Sequence, residues 1–512
     1  MLGNTDNNSG TSRKDAHRGL LEPDAVKVAR PVLRGPGPSN GLGLPDQLSH
    51  TRPVVSASFD DPNLVSVAGL VPVMKIAQDA GLLRLADERL SVPTDKGANP
   101  GLKVASLVAG MVAGADSIDD MGVLRHGGMG RVFNRIYAPS TLGSFLREFT
   151  FGHVRQLDAI ASRFLINLDA STPLLGDHDD PAMVMVDVDD TIIEVHGYAK
   201  QGAAHGYSGV RGLNALIGTV SGPGFAPVIA AGRLRRGNAS SPRGGARLIT
   251  DTLKVVSRTS LAGRRILFRA DSAFRGHPTV SAALKAGADV SVTFRMDPAV
   301  RTAIQTIPDD AWTKIEYPNA VFDEQTGKLI STAEVAEVPF IAFAAQKKAH
   351  HTPGRLVVRR VPEANPNMAK GQGALFDVWR FHAFFTTVSA EVLDTVAADR
   401  THRGHAVIEQ VHADLKNGPL AHLPSGVFNA NAAWLALATI AFNLTRAVAT
   451  ICGGKHARAT NGTIRRHIIT IPARIASSAR RLTLHLPNNW TWETAWTELF
   501  ARACGPPTPT ST

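Results

Sequence analysis

The chain has 512 residues, 44% of them hydrophobic, and a formal charge of +11. That is enough apolar material for two or more packed domains, and the basic balance favours an anionic partner without naming one. Only Cys452 and Cys504 are present, no run reads as eighteen apolar residues, and no apolar leader occupies the first thirty positions; a disulfide scaffold and a membrane span are therefore not expected, and the cytoplasm is the expected compartment.

The first sixty residues are rich in Asn, Ser, Gly and Pro, as in Pro31-Val-Leu-Arg-Gly-Pro-Gly-Pro-Ser-Asn40, and read as a loose tail. Residues 61–180 read as helices: Leu64–Leu83, Leu102–Asp116, Ser140–Arg147 and Val154–Leu168 carry apolar residues at helical intervals. With eleven Lys and Arg against fourteen Asp and Glu this stretch is slightly acidic, yet Arg131, Phe133, Arg135 and Tyr137 form a compact basic and aromatic set. A DNA-reading bundle and a plain support domain both fit.

The pattern changes at Ala182. A buried strand over 182–188 is expected, then a polar break, a second strand Thr191–Val195, the segment Gly206-Tyr-Ser-Gly209, and apolar strands at Asn214–Thr219 and Phe225–Ala231. Helical stretches 240–258 and 276–286 bracket a strand over 264–270, and another strand follows at Ala288–Phe294. This order predicts an α/β ribonuclease-H-like core with a mixed sheet, begun at 181–299. A strand-rich insertion is expected over 300–380, from Trp312–Tyr317, Phe340–Phe343, Arg355–Val361 and Leu375–Trp379, with turns at His351-Thr-Pro-Gly354 and Pro362–Gly373. The core then finishes over 381–449, with a helix at 389–399, a helix through His402–Lys416 and a packed helix Ala430–Ala449. Residues 450–512 form a basic region for DNA contact or assembly; from 446 onward, nine Lys and Arg face two Asp and Glu.

Three carboxylates suit metal-dependent phosphoryl transfer. Asp189 lies in Val186-Asp-Val-Asp-Asp-Thr191, Asp271 ends the run Arg264–Ala270, and Glu409 stands in the helix His402–Lys416. A phosphodiester is anionic and resists anionic attack, and two Mg2+ ions can activate the attacking oxygen, neutralise the phosphate and stabilise the leaving oxygen. Carboxylates are the hard ligands such ions prefer. Asp189 is the candidate bridge between the ions, with Asp271 and Glu409 completing one position each; Mn2+ can substitute. Asp187 is a possible additional acid, since alternation puts Asp187 and Asp189 on one strand face and Asp190 on the other. Asp271 also has the sequence of a turn cap with Ser272. His405, Glu409, His412 and Lys416 fall on one helical stripe with His402 a turn earlier, which suits phosphate contact but equally an ion-paired surface helix. His402, His405 and Glu409 carry zinc-type donors too, without a cysteine cluster or a His-Glu-x-x-His motif.

These pieces resemble the DD(E) transposases of bacterial insertion sequences, in the cut-and-paste branch with a strand-rich insertion before the glutamate. The matching segments are Val186–Thr191, Gly206–Gly209, Arg269-Ala-Asp-Ser-Ala-Phe274, Glu409-Gln-Val-His-Ala-Asp-Leu-Lys416 with Asn417, Phe428–Trp434 and Ala441-Phe-Asn-Leu444. The resemblance covers about residues 60 to 500. It implies a catalytic and metal-binding set of Asp189, Asp271 and Glu409, cleavage at terminal inverted repeats, strand transfer into target DNA, and a homodimer in the DNA complex. A hairpin intermediate on the transposon end is also suggested. Of the tyrosine, arginine, glutamate and lysine signature of that family, the last two map to Glu409 and Lys416, while the first two positions hold His402 and His405. His402, Arg403, His405, His412 and Lys416 are then the expected DNA-backbone contacts. A metal-dependent nuclease and a catalytically impaired DNA-binding remnant are the alternatives.

Overall fold

Apolar spacing in the N-terminal third becomes helices with recognisable ends. The computed structural model describes residues 57–505 except 134, 178–179, 207, 324–327, 363–378 and 479–480. The chain divides after Asp60, and the packed unit runs from Asp61 onward. The expected tail falls almost wholly outside the described residues. Tyr207, Arg480, nearly all of the expected turn Pro362–Gly373 and most of the expected strand Leu375–Trp379 also lie outside them.

After a short strand β1 (Leu64–Val65) come α1 (Leu70–Asp79), α2 (Leu82–Arg89), α3 (Pro100–Ala113), α4 (Met129–Val132), α5 (Pro139–Arg147) and α6 (Phe151–Ser171). Pro100 and Pro139 open their helices where a missing N–H costs nothing, and Gly114 ends α3 at φ 112°, a left-handed conformation open to glycine. Thr150 and His153 cap α6 reciprocally, and Val154, Leu157, Ile160, Phe164, Leu165 and Leu168 bury one face of it.

Next come β2 (Val184–Glu194), β3 (Ala204–His205), β4 (Arg211–Gly222), β5 (Phe225–Arg236), α7 (Gly245–Val256), β6 (Ile266–Ala270), α8 (His277–Lys285), β7 (Asp289–Phe294) and α9 (Pro298–Gln305). Strands β2, β4 and β5 pair antiparallel, whereas β2–β6 and β6–β7 pair parallel. The polar break expected inside 182–195 is absent. β2 runs continuously through Asp187, Asp189 and Asp190, because β4 pairs with it from Met185 to Glu194 and supplies hydrogen bonds that polar side chains do not interrupt.

The strands β8 (Thr313–Asp323), β9 (Lys328–Ala342), β10 (Thr352–Pro362) and β11 (Trp379–Thr386) are antiparallel neighbours. They extend the same sheet, since β11 pairs with β7 through Ala383↔Phe294 to Thr386↔Ser291. Among the described residues the sheet order is β3-β4-β2-β6-β7-β11-β10-β9-β8, with β5 beside β4.

The chain continues through α10 (Thr395–Arg403), a 3-10 turn Gly404–Ala406, α11 (Val407–Lys416) and α12 (Phe428–Cys452). The single helix expected over His402–Lys416 is thus broken at Gly404. Helix α12 is long and apolar enough to cross a membrane, contrary to the sequence expectation, but 89% of its apolar window is buried. It packs on α3, α6 and β5 as the core helix. Trp434 is fully buried, with its indole N–H donating to the Pro419 carbonyl at 2.6 Å. Asn443 accepts from the Ile229 N–H at 2.9 Å and donates to the Ile229 carbonyl at 2.8 Å, satisfying β5 on its unpaired side near a bulge in the β4–β5 register. The chain ends with α13 (Asn461–Ile464), the hairpin β12 (Ala473–Ser478) and β13 (Arg481–His485), and α14 (Glu493–Cys504). Trp496 of α14 is buried, while Trp492 stacks on His467 at 3.7 Å.

Candidate active site

Two strands part company at the candidate acids. Parallel pairing of β2 with β6 ends at Asp187↔Arg269, and two residues farther along stand Asp189, still within β2, and Asp271, one residue past the end of β6. Even spacing along the strands puts both on the Asp187 face, where β6 no longer covers β2. Asp189 is therefore a mid-strand residue beside a gap rather than a strand end.

The floor of this gap is a buried ion pair. Arg269 Nε donates to Asp187 Oδ1 at 2.8 Å and Nη2 to Oδ2 at 2.7 Å, with 4% of the arginine and none of the aspartate side chain exposed. Arg269 Nη1 also donates to the Thr401 carbonyl at 2.5 Å, fixing the end of α10 over β6. His405 completes the set: its Nδ1 lies 3.1 Å from Asp187 Oδ1, and a carboxylate can only accept, so Nδ1 carries the proton. Burial pulls the His405 pKa down, but the Asp187 hydrogen bond and the charges of Asp187 and Asp189 outweigh it and hold it above the ordinary value. Asp187, with both oxygens engaged, positions the helix break and leaves no free carboxylate for an ion.

Asp189 and Asp271 contrast with it. Neither forms an ion pair with Lys or Arg among the described residues. Asp189 Oδ1 accepts from the Asp190 backbone N–H at 2.7 Å, and Asp271 caps its own turn by accepting from Ala273 N–H at 3.0 Å. Burial is the main cause raising both acids. The Asp271 charge adds to it at Asp189, which is pushed up to about 7, and the Asp190 charge adds to it at Asp271. Two crowded carboxylates that resist ionisation are what a cation would relieve. Asp190 faces the other way and is neutralised by Arg235 at 2.9 Å and by the Asn214 amide.

Glu409 is exposed in the first turn of α11, which packs against β2. Lys416 is exposed at the end of the same helix, and burial of part of its stem lowers its pKa. His412 is buried, with Nδ1 3.8 Å from Asp189 Oδ2 and Nε2 without a partner among the described residues. Burial, then Lys416 and His405, push its pKa down to about 4, so it is neutral at pH 7.

Two expected DNA contacts are placed elsewhere. His402 lies flat on Phe384 with ring centroids 4.1 Å apart, and its nitrogens meet Ser291 Oγ at 2.8 Å and Thr293 Oγ1 at 3.0 Å. It braces α10 on β7 and β11, and burial holds its pKa well below the ordinary value. Arg403 donates to Asp399 at 2.8 Å and lies 4.8 Å over the Tyr317 ring. Both residues lie in α10, before the 3-10 segment Gly404–Ala406 that interrupts the α-helical stripe. The interruption also separates His402 from His405 and Glu409 as a zinc set. Sequence reading missed the Arg269–Asp187–His405 unit; the shared parity of Arg269 with Asp271 and of Asp187 with Asp189 was the available signal.

Among the described residues no three His, Cys, Asp or Glu side chains are gathered closely enough to hold an ion. The donor chemistry nevertheless fits a divalent cation: Asp189 and Asp271 are hard oxygen donors without a Lys or Arg partner among the described residues, only partly offset by the charge of His405, and Glu409 is exposed on the adjoining helix. A search of curated proteins finds no match. The family described as transposase DDE domain group 1 matches residues 48–504. With that match covering most of its length, the chain belongs to this DDE transposase family.

Proposed function

We propose that this protein binds terminal inverted repeats and catalyses Mg2+-dependent strand cleavage and strand transfer during DNA transposition, acting on bacterial DNA. The observation that carries the reading is the pair Asp189 and Asp271 at the parting of β2 and β6, raised by burial and without a Lys or Arg partner among the described residues, within a DDE family chain. The strand order β5-β4-β2-β6-β7, three antiparallel then parallel neighbours, supports a ribonuclease-H-like core.

In this reading Asp189, Asp271 and Glu409 hold the ions, with Mn2+ able to replace Mg2+. When bound, the divalent ions neutralise the scissile phosphate and lower the cost of forming an oxygen nucleophile. The protein's own residues do the rest. Arg269 and Asp187 fix β2, β6 and the α10 end in one frame, and His405 ties the turn before α11 to that frame. Neutral His412 walls the acid pair and adds no competing charge. Lys416, at the far end of α11, meets the DNA backbone. Water attacks first at the transposon end, and the freed 3′-OH attacks target DNA afterwards. Two ends must be processed together, so the working complex is a homodimer on paired ends; the exposed arginines of the C-terminal region, such as Arg481, are available for contacts in trans.

The test is incubation with pre-cleaved inverted-repeat DNA and a plasmid target in Mg2+. Joined product supports the reading. Cutting without joining marks a nuclease, and binding alone marks a remnant.

A further inference from the structure

At the free edge of the sheet, a cavity of about 210 Å³ opens between α6, the edge strand β5, α7 and α12. The face of Arg233 follows from register. Arg233 pairs with Leu216 and Leu216 with Asp190, so Arg233 stands on the side of Asp190, which α7 covers. Five cations line the cavity, Arg155, Arg163, Arg233, Lys254 and Arg258, against two carboxylates, Asp158 and Asp251.

Both carboxylates are already matched. Arg155 lies 2.8 Å from Asp158, Arg233 lies 3.1 Å from Asp251, and Arg247 reaches Asp251 from outside at 3.0 Å. Burial pushes Asp158 up to about 7 even so, which leaves it only partly charged near neutrality. The remaining cations have no carboxylate among the described residues. Among the described residues, Arg163 donates only to the Ala159 carbonyl of its own helix, at 3.0 Å. Its pKa is lowered by burial and then by the charges of Arg89 and Arg258, so like charges crowd this spot. Lys254 and Arg258 are exposed at the rim, and Arg89 is exposed near enough to Arg163 for its charge to act there.

A half-buried guanidinium among like charges is stabilised when an anion enters, and a guanidinium fork suits phosphate oxygens. Strand β4 stands between β5, at the cavity, and β2, which carries Asp189, so the anion is not the phosphate being cut. We propose that the cavity is a second DNA site, where Arg163 takes one backbone phosphate and Lys254, Arg258 and Arg89 follow its neighbours, holding duplex away from the processed end. The proposal rests on the transposase reading for the identity of the polyanion.

The test uses the full chain and the double variant Lys254→Ala/Arg258→Ala, whose side chains are exposed and whose folding is checked by circular dichroism. Affinity is measured against salt for a short end fragment and for a long duplex carrying the same end. The expected result is a long-duplex log–log salt slope smaller in magnitude by about 2, with cleavage of the short fragment unchanged. An unchanged long-duplex slope overturns the proposal. So does a variant that loses pyrophosphate binding while keeping its slope, because the site then serves a free phosphate compound. Loss of short-fragment cleavage in the variant overturns the separation of the two sites. If wild type fails to cleave any end fragment, the transposase reading falls, while the slope comparison still decides the second site.

Discussion

Asp189→Asn should stabilise the metal-free protein at alkaline pH while destroying its function. Burial and the Asp271 charge raise Asp189 from 3.8 to about 7 in the folded state. The sign follows from linkage. A group whose folded pKa is raised contributes stability fully present below about 3.8 and lost as pH rises through about 7. The full difference corresponds to about 4 kcal/mol. The side chain is 24% exposed and shares its charge problem with Asp271, so about 2 kcal/mol is the working figure. For a cooperative unit of this size that is a rise in Tm of roughly 2–4 °C. Calorimetry without divalent ions at pH 8.5 should show this gain for Asp189→Asn, with little or no gain near pH 4. Added Mg2+ should raise the wild-type Tm at pH 8.5 and leave the variant's nearly unmoved. If the variant is destabilised equally at both pH values, and Mg2+ shifts both proteins alike, Asp189 is not a raised acid that a cation relieves.

Removing the buried partner of Asp187 is a different kind of damage: Arg269→Ala should cost about 3–5 kcal/mol and lower the urea midpoint, because it strands a fully buried carboxylate. Gly404→Ala places a Cβ 2.8 Å from Arg269 Nη1; cleavage should fall more than stability, as read by comparing single-turnover rate with Tm. His402→Ala should lower Tm by removing the stack on Phe384, yet leave the salt slope of DNA binding unchanged. Lys416→Ala, by contrast, should reduce the magnitude of that slope by about 1 at nearly constant Tm. Trp434→Ala, in the middle of α12, should cost about 3–5 kcal/mol measured by denaturant unfolding.

Period and composition made much of this fold legible. The strands at 264–270 and 288–294 and the helices at 240–258 and 276–286 emerge as β6, β7, α7 and α8 within a few residues. What failed was local and has a physical reason. Aspartates at 187, 189 and 190 read as a break, since polar residues depress strand propensity; pairing with β4 overrides that, and Arg269 and Arg235 neutralise two of the three. The His402–Lys416 stretch has unbroken helical spacing, and nothing in it announces that Arg269 would bond Thr401 and that the chain would turn at Gly404. Asp189 and Asp271 come together because parallel register is a non-local property. Their nearness was legible only through family resemblance, and the structure gathers no third acid with them among the described residues.

The most direct measurement is single-turnover cleavage of a labelled inverted-repeat end in Mg2+ by wild type, Asp189→Asn, Asp271→Asn and Glu409→Gln, each at saturating protein. Wild type should cut, and all three variants should lose cleavage by orders of magnitude while binding the end with near wild-type affinity. Cleavage at the wild-type rate by any one of the three would remove that residue from the catalytic set and contradict the account.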